Sequence, residues 1–166
     1  QMNASVIVAD SSAHDADSFG YGVSRILVAK PTGLRHPPRK EGAGMVKVFI
    51  NGFGRIGRTV LRAHALGYGD DIEIAGINDI AAPDLCAHLF AYDSVFGPFP
   101  GEVTQRDDRI VINGVEIPFF RTDDMRNLDL SGVDIVMECT GKAVTRAIAE
   151  RGLDARADRV LISGPS

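Results

Sequence analysis

Three glycines in the run Gly52-Phe53-Gly54-Arg55-Ile56-Gly57, together with the acid Asp79, have the types and spacing to do chemistry. The spacing fits G-x-G-x-x-G, in which the glycines play separate parts. Gly52 makes the turn, Gly54 lets the backbone approach a ligand, and Gly57 lets a helix pack on a strand. A loop of this kind at the start of a helix offers first-turn N–H groups and the positive end of the helix dipole to a phosphate. Asp79 lies 22 residues beyond Gly57. A carboxylate there accepts hydrogen bonds from an adenosine ribose diol and repels a 2′-phosphate. Taken singly, the glycines also suit a tight turn and the acid a helix cap. Their common order is that of a dinucleotide site.

The elements needed to position these groups can be read on either side of them. Val46-Lys47-Val48-Phe49-Ile50 is a short apolar strand leading straight into the loop. A helix should follow, with Ile56, Val60, Ala63 and Gly67 on one face and Arg55, Arg58 and Arg62 on another, ended by Gly67-Tyr68-Gly69. Ile72 to Ile77 is the next strand and closes at Asn78-Asp79. Pro83 and Asp84 open a second helix carrying Leu85, His88, Leu89 and Tyr92. Arg109 to Ile112, Asn113-Gly114 and Val115 to Ile117 form a hairpin around an Asn-Gly turn. Gly132 to Glu138 reads as a buried parallel strand, followed by a helix from about Ala143 to Arg151 and a strand from Arg159 to Ser163. This order predicts an α/β, Rossmann-type open sheet, mostly parallel, with a hairpin excursion.

Composition narrows the classes. The 166 residues are 45% hydrophobic and 24% charged, which suits one soluble domain rather than disorder. A net charge of −4 provides no basic footprint for nucleic acid, and no apolar run is long enough for a membrane span. The two cysteines, Cys86 and Cys139, match no disulfide framework or metal motif, so the expected setting is cytoplasmic and reducing. Cys86 reads as a small core residue of the second helix; Cys139 falls at a strand end with no histidine in its local motif.

Residues 1–44 have a different character. They hold two apolar runs among acids, then Lys30-Pro31-Thr32-Gly33, Pro37-Pro38 and Glu41-Gly42-Ala43-Gly44. Proline and glycine oppose both helix and sheet, so this part is expected to be a poorly ordered extension or linker, with Met45 a natural start for the domain over 45–166. Neither a secretory signal nor a transit peptide fits its charges.

The core Ile50-Asn51-Gly52-Phe53-Gly54-Arg55-Ile56-Gly57-Arg58 resembles the opening of glyceraldehyde-3-phosphate dehydrogenases. So do Ile77-Asn78-Asp79, Tyr92-Asp93-Ser94-Val95-Phe96-Gly97, Val133 to Gly141 and Val160 to Ser166, in family order. The resemblance implies the NAD-binding half of an oxidoreductase of glycolysis. That enzyme converts an aldehyde phosphate to an acyl phosphate through a cysteine thioester, in homotetramers. It also implies that Gly52, Phe53, Gly54, Arg55, Ile56 and Gly57 face the pyrophosphate, with Arg55 and Ile56 donating backbone N–H. Asn78 and Asp79 would stand at the adenosine ribose, Thr140 and Gly141 in the next strand-end loop, and Ser163 toward the nicotinamide. No catalytic residue is expected here: the family's nucleophile, in a Ser-Cys-Thr-Thr-Asn segment, and its base histidine would lie beyond Ser166.

Three positions depart from the family pattern. No tryptophan is present, and Leu130 stands near its place. The adenine-contacting arginine falls on Asp123 in ungapped register, with Arg121 two positions earlier. Phe96 replaces a frequent histidine. Two other readings therefore stand beside the first: a dinucleotide-binding module without catalysis, and part of an erythrose-4-phosphate dehydrogenase-like enzyme.

Overall fold

The computed structural model describes residues 5–8 and 44–163. Within them the chain forms β1 (Ser5–Val8), β2 (Val46–Asn51), α1 (Arg55–Ala65), β3 (Ile72–Asn78), α2 (Pro83–Ala91), β4 (Tyr92–Asp93) and β5 (Gly97–Pro98). It continues as β6 (Val103–Arg106), β7 (Arg109–Ile112), β8 (Val115–Phe120), β9 (Ile135–Glu138), α3 (Arg146–Ala149), α4 (Arg151–Asp154) and β10 (Arg159–Ile162). The expectation for residues 1–44 lies outside the described residues, apart from Ser5–Val8 and Gly44; Ser5–Val8 pairs with β10.

The main sheet runs β1-β10-β9-β2-β3-β8-β7-β6. Its strands are parallel from β1 through β8, and β7 and β6 are antiparallel. The fold is thus the α/β, mostly parallel sheet that the element order predicted. The hairpin does more than leave and return, because β8 pairs in parallel with β3 and so widens the sheet. Its turn adopts φ of 50° at Asn113 and 83° at Gly114, the double left-handed conformation for which Asn-Gly is suited. The strand β6 has no strong pattern in sequence and owes its form to pairing with β7.

Alternation along β2 divides the core. Val48 and Ile50 point to one face, where they meet Leu61 of α1 and Phe90 of α2. Phe49 points to the other, with Val136, Val160 and Ala149. Buried strands with helices on both faces explain why β2 and β9 read as continuous apolar runs.

Both long helices are turned from the face expected, although Val60 of α1 packs against the core and Cys86 of α2 is buried as read. In α1 the buried residues are Gly57, Leu61 and Arg62. In α2 they are Cys86, Ala87 and Phe90, while Leu85, Leu89 and Tyr92 are exposed. The reason is aromatic: Phe90 packs against Phe53 at 6.1 Å and Phe99 at 5.0 Å, and this rotates α2. Arg62 is carried inward because its guanidinium lies over Phe90 and Phe99 and donates to the carbonyls of Phe90 (2.8 Å) and Gly97 (3.3 Å). The helix expected from Ala143 instead begins at Arg146 and is divided at Glu150 into α3 and α4.

Candidate functional site

The chain leaves β2 for β3 on one side, while β9 lies on the other side of β2, so the order of the strands reverses at this point. In open parallel sheets the crevice at such a reversal, outside the carboxyl ends of the strands, is where ligands bind. A cleft of about 230 Å³ lies there, reached by Gly52, Gly54, Asp79, Thr140, Lys142 and Arg151. A larger concavity of about 470 Å³, between α1, β3 and the hairpin, has a mainly apolar lining and lies away from the strand ends that carry polar groups.

Local geometry explains each glycine. Gly52 has φ of +91°, and a Cβ on it would come within 2.7 Å of the Thr140 nitrogen, so the turn and the close approach both require glycine. On Gly57 a Cβ would come within 2.2 Å of the Gly52 carbonyl oxygen, which is how closely helix and loop pack. Nothing lies within 4 Å of a Cβ position on Gly54. That open space is where a ligand could approach the backbone. Gly54 is also the N-cap of α1, so the N–H groups of the first turn, including those of Arg55 and Ile56, have no intrahelical partners.

The Asp79 carboxylate crosses from the end of β3 to this loop. Its Oδ2 accepts the Phe53 N–H at 2.6 Å and its Oδ1 accepts the Ala81 N–H at 2.9 Å. Phe53 is buried against Phe90 and serves as the anchor of the loop. Arg58 secures it from below, donating to the Phe53 carbonyl at 3.1 Å.

The remaining expected residues divide. Asn78 reaches the cleft, but its side chain is buried and donates to Asn51 Oδ1 (2.7 Å) and to the Thr122 carbonyl (3.0 Å). Thr140 reaches the cleft, whereas Gly141, with φ of +71°, forms the exposed turn after it. Ser163 donates its hydroxyl to the Glu138 carbonyl at 3.0 Å and lies beside the end of β9. Asp123 lines the cleft; Arg121 stands at its rim and donates to the Ile80 carbonyl at 3.3 Å.

Sequence reading missed Asn51, Glu138, Lys142 and Arg151. Polar residues ending otherwise apolar strands, as Asn51 and Glu138 do, were the available signal. The two cations have no local signature.

The region 46–146 matches the family model described as "Glyceraldehyde 3-phosphate dehydrogenase, NAD binding domain". The chain belongs to the glyceraldehyde-3-phosphate dehydrogenase family. It is 44% identical over 124 residues to the glyceraldehyde-3-phosphate dehydrogenase of Bacteroides fragilis, an alignment covering 74% of this chain and 37% of that one. Against the Lactobacillus delbrueckii subsp. bulgaricus enzyme the identity is 42% over 127 residues, covering 73% and 37%. Against the chromosomal enzyme of Cupriavidus necator it is 46% over 123 residues, covering 72% and 37%. The chain thus spans about 37% of the length of these relatives.

Within the family's NAD-binding domain, both thiols are buried. Burial pushes the Cys86 thiol up to about 11, and the nearby Asp79 charge acts in the same direction. Burial also pushes Cys139 up to about 11, which the neighbouring Ser163 hydroxyl only partly opposes. Among the described residues, no hydrogen bond joins either thiol to an imidazole; His88 lies against Tyr92 with ring centroids 5.0 Å apart. No helix among them is long and apolar enough to cross a membrane.

Proposed function

We infer that residues 45–166 are the NAD-binding portion of a phosphorylating aldehyde dehydrogenase, acting on glyceraldehyde 3-phosphate or a similar aldehyde phosphate such as erythrose 4-phosphate. The observation that carries this is the clasp of Asp79 on the glycine loop, set across the cleft where the strand order reverses.

The residues present fit the cofactor. The open space above Gly54 is a cradle that a side chain would fill, and it lies at the N-terminus of an 11-residue helix. The Arg55 and Ile56 N–H groups would hold the pyrophosphate there. Asp79 would take the adenosine ribose with the lone pairs left after its two backbone contacts. Thr140 and Gly141 would face the second ribose, and Ser163 would lie toward the nicotinamide. When bound, NAD accepts a hydride from the substrate; this chain's residues bind the cofactor, orient it and keep its 2′-hydroxyl recognised.

A module that binds the dinucleotide without chemistry is the second reading, favoured by the burial of both thiols. Assembly as a homotetramer and residence in the cytoplasm belong to the first reading. The deciding experiment is calorimetric titration of the chain with NAD, together with an assay for NAD reduction with glyceraldehyde 3-phosphate and phosphate. Micromolar binding without turnover is expected. Turnover abolished by Cys139→Ser would move the nucleophile into this chain, and absence of NAD binding would remove the inference.

A further inference from the structure

Glu138 ends β9 with only 3% of its surface exposed, and no ion pair reaches it among the described residues. A carboxylate withdrawn from water in this way is costly unless donors satisfy its oxygens. Here Oε2 accepts from Asn51 Nδ2 at 2.5 Å, and Oε1 accepts from the Thr140 N–H at 2.9 Å and from the Thr140 hydroxyl. The chain continues sideways. Asn51 Oδ1 accepts from Asn78 Nδ2 at 2.7 Å, and Asn78 Oδ1 accepts from the Thr122 N–H at 3.0 Å. One buried polar chain therefore runs beneath the cleft, from the loop after β9, across the ends of β2 and β3, to the loop after β8.

The two sides of the cleft are tethered differently. The glycine loop has ties of its own, through Asp79 to Phe53 and through the Gly52 N–H to the Asn78 carbonyl at 2.8 Å. The Thr140–Lys142 loop depends on Glu138. Both donors of Thr140, its N–H and its hydroxyl, end on that carboxylate, and the Lys142 N–H in turn donates to the Thr140 hydroxyl at 3.1 Å. In a two-half dinucleotide fold, the β3 side takes adenosine and the β9 side takes the other mononucleotide.

Resting on the dinucleotide reading above, we propose that Glu138 is a positioning residue. It holds the Thr140–Lys142 loop in place across from the glycine loop, and the half of the dinucleotide beyond the pyrophosphate binds only while it does so. Glu138 acts through Thr140 and touches no cofactor itself.

The test compares NAD with ADP, which reaches only the glycine loop and Asp79. The full chain is titrated calorimetrically as the parent, as Glu138→Gln, as Glu138→Asp and as the double variant Asn51→Asp/Glu138→Gln. In Glu138→Gln the new amide nitrogen must face a donor, either Asn51 Nδ2 or the Thr140 N–H. Asn51 cannot turn over, because its Oδ1 is used by Asn78. In the double variant the donor and acceptor exchange places, so every bond of the chain can form again with the same net charge.

Glu138→Gln is expected to weaken NAD roughly tenfold or more while ADP changes less than about twofold, and the double variant to restore NAD to within about threefold. Glu138→Asp keeps the charge but withdraws its oxygens by a methylene, and the same split is expected there; it carries the test if the glutamine variant folds poorly. Equal losses for NAD and ADP, unchanged NAD affinity, or no recovery in the double variant would each overturn the proposal. A parent chain that binds neither ligand would overturn the dinucleotide reading first, and this proposal with it.

Discussion

The Asp79 carboxylate accepts the Phe53 backbone N–H at 2.6 Å, so the acid at the end of β3 also closes the glycine loop. Its neighbour on the other side, Ala81, donates to the second oxygen at 2.9 Å. The side chain is thus oriented before any ligand arrives, and orientation made in advance reduces the entropic cost of recognition.

Asp79 should therefore set the preference for NAD over NADP. A charged acceptor to ribose hydroxyls contributes roughly 1.5–3 kcal/mol net, and a 2′-phosphate both loses those bonds and meets a like charge. The unmutated chain should favour NAD by roughly 10²-fold, about 2.7 kcal/mol. Asp79→Ala should weaken NAD and narrow the ratio, since it also releases the Phe53 N–H. Equal affinities for the two cofactors in the unmutated chain would contradict the assignment; calorimetry decides.

Gly54→Val and Gly57→Ala should separate binding from folding. The Cβ direction at Gly54 is open, and its φ of −71° suits any residue, so the variant should keep its thermal midpoint while losing NAD. At Gly57 a Cβ meets backbone oxygen at 2.2 Å, and backbone cannot step aside as a flexible side chain can. Overpacking of this kind costs roughly 1–3 kcal/mol, so the midpoint should fall by several degrees. The reverse pattern in scanning calorimetry would show that the roles are misassigned.

Cys86 and Cys139 should resist alkylation near neutral pH. Each titrates from an ordinary 9.0 up to about 11, chiefly because burial disfavours the thiolate. At pH 8 the thiolate fraction is then roughly 10²-fold below that of an open thiol, and alkylation should slow accordingly. For stability the sign is fixed: with the folded value raised, these thiols leave stability intact below 9.0 and erode it as pH climbs toward about 11. Rapid reaction of Cys139 at pH 7 in the folded chain would count against this.

Arg62→Leu should be far more damaging than a change on a solvated helix face. The variant keeps an apolar side chain beneath Phe90 and Phe99 but leaves the carbonyls of Phe90 and Gly97 without their donor. An unpaired buried acceptor costs roughly 1–3 kcal/mol, so a drop of several degrees in thermal midpoint is expected. A shift under about one degree would indicate that water replaces the guanidinium.

How much of this was legible in sequence follows the range of each interaction. Strand, glycine loop, helix, strand and acid lie within the run from Val46 to Asp79, and the Asn113-Gly114 turn is more local still. Spacing and turn chemistry alone thus determined the order of the elements, the glycine loop and the hairpin. Which face each helix buries was not determined in this way. Leu85, Leu89 and Tyr92 make as good an apolar stripe as Cys86 and Phe90, and only the rings of Phe53 and Phe99 decide between them. Arg62 reads as polar until three phenylalanines surround it. Likewise Asn51 and Glu138 meet 87 residues apart in the chain. A hydrogen bond over that separation leaves no periodicity and no turn signal, so the polar chain beneath the cleft exists only once the parallel strands align their carboxyl ends.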